Sequence, residues 1–182
     1  MCSVRAVHLL AVLLLFAAGS MRIAQADDLD VGREEQMKAA YLFNFAKFVE
    51  WPVSAQGPIR VCFIGAQGVH AFMTASAAGK TIGARSITTV MLQSADSRLG
   101  CDVIYLGASV DANALMQDAP STAALTVSDV DDFTRHGGII RLFKHENRLR
   151  FDINLDNARR AGLKISSNLL KLASRVEQEA AP

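Results

Sequence analysis

The sequence lacks an excess of charge of either sign. Its 182 residues hold 19 Lys and Arg against 18 Asp and Glu, a formal net charge of +1. Nucleic-acid binders need a basic surplus to neutralise phosphates, so no nucleic-acid partner is expected. The chain also lacks the polar bias of a disordered segment, with 51% hydrophobic and 20% charged residues. Four prolines and twelve glycines are too few for a fibrous or low-complexity protein. Histidines number only four, and no His-Glu-x-x-His or His-x-His pattern occurs. A zinc hydrolase is therefore disfavoured, and neither metal nor cofactor is expected. One domain with its own core is the natural reading at this length.

What is present begins with a targeting segment. Arg5 precedes an apolar stretch from Ala6 to Gly19, and Ala24-Gln25-Ala26 supplies the small-x-small pattern of a signal-peptidase site. Acidic residues start at once, at Asp27 and Asp28. The apolar run is shorter than the roughly 20 residues a spanning helix needs. Residues 1–26 are thus expected to be a cleaved secretory signal and 27–182 the mature domain. Cleavage removes Arg5 and Arg22, which leaves the basic residues one short of the 18 acidic ones. No second long apolar run follows, so the mature chain is expected to be soluble, without direct membrane insertion. A signal of this form suggests the periplasm.

Of three cysteines, Cys2 leaves with the signal and Cys62 and Cys101 remain. Two thiols in an oxidising compartment are expected to pair. The loop so closed would contribute about 4 kcal/mol in the chain-entropy model. Two buried free thiols are the alternative.

Along the mature chain, residues 27–35 are acidic and expected to fray. Glu34 to Glu50 carries a helical pattern in Met37, Tyr41, Phe45, Phe48 and Val49, ended by Trp51-Pro52. Ile59–Ile64 reads as a strand. A Gly65–Gly68 turn and a helix to about Ala77 follow, then an extended piece from Ser86 to Leu92. Cys101–Leu106 and Ala124–Val127 are two further strands, separated by a helix from Asp111 to Gln117. This order argues for parallel pairing in an α/β layer. In the last third, Ile139–Phe143 and Leu149–Leu155 flank a turn at His145-Glu146-Asn147. The second strand alternates, with Leu149, Phe151, Ile153 and Leu155 on a buried face and Arg148, Arg150, Asp152 and Asn154 on a wet one. A short helix runs from about Asp156 to Gly162. A final helix capped by Ser166 or Ser167 bears Ile165, Leu169, Leu172 and Val176 as its apolar stripe. The expected fold class is α/β: a single-domain mixed sheet flanked by helices, with a C-terminal antiparallel hairpin and a terminal helix.

Several of these segments together resemble one family. The stretch Ala39–Pro52 (Ala-Ala-Tyr-Leu-Phe-Asn-Phe-Ala-Lys-Phe-Val-Glu-Trp-Pro) is similar to the opening signature of YfiR-like periplasmic proteins. Leu125–Asp129, Gly137–Ile140, Arg148–Asn154 and Ala161–Ala173 resemble its later motifs, in the same order. The resemblance implies an α/β domain without enzymatic activity. It implies a periplasmic repressor that binds the periplasmic portion of an inner-membrane diguanylate cyclase and holds cyclic-di-GMP output off, and with it biofilm formation. The Cys62 and Cys101 spacing resembles a disulfide of that family. Some members carry a second bridge in the last third, where this chain has no Cys.

The residues offer few enzymatic alternatives. Ser128-Asp129 with His136 as base invites a hydrolase reading, but a strand end that caps the next helix explains the pair more simply. No Gly-x-Ser-x-Gly elbow occurs. Gly65-Ala66-Gln67-Gly68 faintly echoes a phosphate-binding turn. The carboxyl ends of the parallel strands, near Gly65, Gly107 and Asp129, are therefore the expected ligand position if the chain is instead a small-molecule-binding module. Five aromatic residues crowd between Tyr41 and Trp51. Phe43, Phe48 and Trp51 cannot all share a narrow buried face with Tyr41 and Phe45, so some are expected at a protein interface. Arg148 and Arg150 form either a solvated charged face or an electrostatic docking patch. The surplus apolar surface also suits a homodimer.

Overall fold

Ile59–Ile64 (β2), Val103–Leu106 (β5) and Leu125–Ser128 (β6) are near-continuous apolar runs, as strands buried on both faces must be. In the computed structural model, which describes residues 29–52, 57–93, 100–117 and 123–178, they form the parallel centre of an eight-stranded mixed sheet. On one face Val61, Phe63, Val103, Tyr105, Leu125 and Val127 join a large core. On the other, Cys62, Ile64, Ile104 and Leu106 join a smaller one. The α/β class and mixed sheet expected from the sequence are present.

The described residues divide into two compact units between Glu35 and Gln36. Residues 29–47 are helical (α1), so the helix begins before Glu34, where the pattern placed its start. Beyond Gln36, α1 places Ala39, Leu42, Phe45 and Ala46 in the large core. The helix stops at residue 47 rather than continuing to Glu50. Val49–Glu50 (β1) instead pairs antiparallel with Lys164–Ile165 (β9). The opposed charges of Glu50 and Lys164 and the bond from Ser166 N to Phe48 O support that pairing.

Helix Gln67–Ala77 (α2) crosses from β2 to Arg85–Met91 (β4) and buries Val69, Met73 and Ala77, four residues apart, in the large core. Thr81–Ile82 (β3) pairs with β4 at the sheet edge. The chain then returns to the far side of β2 to form β5. Helix Ala112–Gln117 (α3) contributes Ala112 to the smaller core. There Phe133 is fully buried, with its ring against Gly138, and a Cβ on that glycine would overlap it. Cys62 and Cys101 are joined by a disulfide on this face, with Cα atoms 6.0 Å apart.

Ile140–His145 (β7) continues the sheet parallel to β6, and Arg148–Asn154 (β8) returns antiparallel. Glu146 and Asn147 both take positive φ, 48° and 61°, as a two-residue primed hairpin turn requires. Helix Leu155–Arg160 (α4) starts where Asn154 Oδ1 accepts the N–H of Asn157. The Asn157 side chain donates to Thr134 O and Gly138 O, which anchors α4 to the turn before β7. Helix Ser167–Leu172 (α5) is capped by Ser166.

Two expectations fail at the C-terminus, and the failures share a cause. Val176 does not lie on a final helix. Arg175–Glu177 is a strand (β10), parallel to β8, and Leu172 is 65% exposed. Asp152, expected on the wet side of β8, is 3% exposed, because β10 covers it. The Arg175 guanidinium donates to Asp152 Oδ2 at 3.0 Å, and the hydrogen bond and charge of Asp152 raise the Arg175 pKa. Arg141 lies 4.0 Å from the same oxygen.

Asp152 is thus the polar anchor of the edge strand. Asp152→Asn is expected to destabilise the fold by about 1–3 kcal/mol, since Arg175 is itself half in solvent. Hydrogen exchange should accelerate at the 175–177 amides before it does in β5 and β6. The disulfide sets a second expectation. Replacing Cys62 and Cys101 together with Ala should lower unfolding free energy by about 4 kcal/mol, read from urea denaturation.

Candidate interaction surfaces

The aromatic segment splits into two sets. Tyr41 and Phe45 turn inward and meet Phe151 in an edge-to-face cluster, with centroids 5.7, 5.9 and 5.0 Å apart. Tyr41 Oη donates to Leu149 O at 3.0 Å. Phe45 is fully buried, while Phe43, Phe48 and Trp51 are half-buried against the rim of the core. Lys80 Nζ lies 5.3 Å from the Phe43 ring centre, and Lys47 Nζ lies 6.0 Å from that of Phe48. Trp51 Nε1 donates to Ala46 O at 3.3 Å, which ties the indole back to α1. The three rings therefore leave ring surface in solvent, flanked by lysines.

Arg148 and Arg150 do not lie with them. Strand alternation turns Leu149 and Phe151 into the core beneath α1, so the arginines between them face the other side of the sheet. The rings and the two arginines thus lie on opposite faces of the sheet.

The carboxyl ends of β2 and β5 bring Gly65 and Gly107 together, at the point where the chain reverses its direction across the sheet. Gly107 N donates to Ile64 O at 2.9 Å, and Ser109 Oγ donates to Gly65 O at 2.9 Å. Gly65 has φ 63°, and any Cβ there would overlap Ser109 and Val110. Asp129, at the end of β6, accepts an ion pair from Lys38 Nζ at 2.6 Å, with both side chains largely buried. Spacing offered no hint of that pair, because 91 residues separate its members.

Ser128 is fully buried. Its hydroxyl donates to Leu106 O and accepts from Val130 N, while His136 Nδ1 lies 3.0 Å from Asp132 O. Both side chains serve the local backbone. Among the described residues no group of three or more His, Cys, Asp or Glu side chains could hold a metal, and no helix is long and apolar enough to cross a membrane. The expected signal segment, residues 1–26, lies outside the described residues.

One concavity went unnoticed in the sequence. A polar hollow of about 500 Å³ opens between α4 and β10, lined by Asn154, Asp156, Arg159, Arg160, Glu177 and Gln178. Its walls depend on β10, which helical spacing concealed.

Two solved structures overlay on the chain in part. One is a conserved domain protein from Vibrio cholerae, at 12% identity and TM-score 0.48. The other is an ABC domain from Streptococcus pneumonia in complex with L-Trp, at 10% identity and TM-score 0.47. Each overlay covers 65% of this chain but 55% of the other, so the chain spans about half the length of either protein. A family model matches far more directly, from residue 35 to residue 174, which takes in α1 from Glu35 on, every strand from β1 to β9, and α5. By that match the chain belongs to the YfiR/HmsC-like family.

Proposed function

We propose that this chain is a periplasmic regulatory binding protein that represses an inner-membrane diguanylate cyclase by occupying its periplasmic sensor domain. Repression would lower cyclic-di-GMP output and biofilm formation. The observation that carries the reading is the family match over residues 35–174. The half-buried rings of Phe43, Phe48 and Trp51 support it as a docking surface, because aromatic anchors supply most of the binding energy at protein interfaces. Repression has a thermodynamic condition. The protein must bind the inactive receptor more tightly than the active one, since equal affinity shifts nothing.

A second reading rests on the polar hollow between α4 and β10, whose volume of about 500 Å³ falls within the range of small-molecule sites. There the chain would be a small-molecule-binding module, and thermal shifts across a metabolite panel would reveal it.

Immobilised mature protein should capture a membrane diguanylate cyclase from detergent-solubilised envelope, and deletion of the gene should raise cyclic-di-GMP. Phe48→Ala with Trp51→Ala should weaken capture by about 30-fold or more while the thermal unfolding curve stays cooperative. Recovery of no cyclase, together with unchanged cyclic-di-GMP in the deletion strain, would refute the proposal.

A further inference from the structure

The hairpin of β7 and β8 turns Leu142, Leu149 and Phe151 into the core and its alternate residues to the other face. Residues directly opposed in an antiparallel pair share a face. Phe143 opposes Arg150, and His145 opposes Arg148. These four side chains therefore stand together on the outer face. Arg148, Arg150 and His145 are exposed, and Phe143 is half-buried among them. Arg148 and Arg150 are two residues apart on one strand, which separates their Cα atoms by about 7 Å.

The charges on this face are unevenly matched. Arg141 is taken by Asp131 at 2.9 Å and lies over the Phe143 ring at 4.8 Å. Arg175 is taken by Asp152 and Glu177. No carboxylate among the described residues pairs with the side chain of Arg148 or Arg150. The inner half of the face is neutralised by its own acids, and the outer half presents two unmatched guanidiniums around an aromatic ring.

We propose that this face binds a carboxylate-rich segment of another polypeptide. Guanidinium groups hold carboxylates through paired, charge-assisted hydrogen bonds, and a ring beside them adds apolar contact. An anionic membrane is a poorer occupant. Lipid surfaces recruit clusters of roughly four to eight basic residues, whereas only two guanidiniums are unmatched here. The proposal is independent of the aromatic surface on α1 and of any cyclase partner, because the two surfaces lie on opposite faces.

The test uses the mature disulfide-bonded protein with hexaglutamate as the probe, hexaglutamine as the uncharged control, and phosphatidylglycerol-containing vesicles as the competing surface. Hexaglutamate should bind saturably and shift the amide resonances of Phe143, Arg148 and Arg150. The affinity should fall as salt rises. Arg148→Gln with Arg150→Gln should weaken it about tenfold or more, whereas Lys171→Gln on α5 should leave it unchanged. The resonance mapping on the unmodified protein stands even if a variant misfolds. Absence of saturable binding, equal binding of hexaglutamine, shifts confined to another surface, or vesicle flotation that depends on Arg148 and Arg150 would each overturn the proposal.

Discussion

Two-sided burial of β2, β5 and β6 is the constraint that organises this molecule. A parallel strand whose residues are apolar on both faces must be covered on both faces. Helices α1 and α2 cover one side, and α3 with the Phe133 turn covers the other. At the carboxyl ends of β2 and β5, Ser109 and Val110 pack against Gly65. In many open α/β sheets that position is a ligand crevice. Here the same position serves packing, with Ser109 and Val110 set against Gly65.

The disulfide belongs to this arrangement. Cys62 sits on the less thickly covered face of β2, and Cys101 lies at the entry to β5. The bond links neighbouring parallel strands that the chain reaches only after a long excursion through α2, β3 and β4. It closes the loop whose entropy would otherwise oppose β2–β5 pairing most.

Long apolar runs and regular alternation made the central strands and the hairpin legible in the sequence. Both signals are local, and both persist because burial rewards every second or every residue. The short elements were not legible. A strand of two or three residues, such as β1, β9 or β10, has no periodicity of its own and exists only through its partner. Val176 stood seven residues beyond Leu169, which is also good helical spacing, so pattern alone could not choose. One missed strand then hid further features. Without β10, Asp152 read as a wet residue, Arg175 had no visible role, and the hollow beside α4 could not be imagined. Conversely, the crowding of aromatics from Tyr41 to Trp51 was visible, but nothing local revealed that Arg148 and Arg150 face away from them. That requires knowing that Leu149 and Phe151 pack beneath α1.

The separation of these surfaces has a mechanical consequence. A partner at Phe43, Phe48 and Trp51 would press on the end of the helix that carries Phe45 into the core, and hence on its contact with Phe151 of β8. A partner at Arg148 and Arg150 would hold the opposite face of that same strand. The two surfaces are thus connected through β8, by way of the Tyr41–Phe45–Phe151 ring cluster and the bond from Tyr41 to Leu149 O. Coupling between such sites needs an element with two arrangements that both partners bias differently. The β8–β10 edge is the natural place to look, because β10 is a three-residue edge strand held by its ladder to β8 and the Asp152 ion pair, with Val176 exposed. An edge so lightly held can detach at modest free-energy cost while the core sheet stays intact. Detachment would bare Asp152 on the face that carries Arg148 and Arg150, and would turn a buried internal carboxylate into a competitor for any acidic segment bound there.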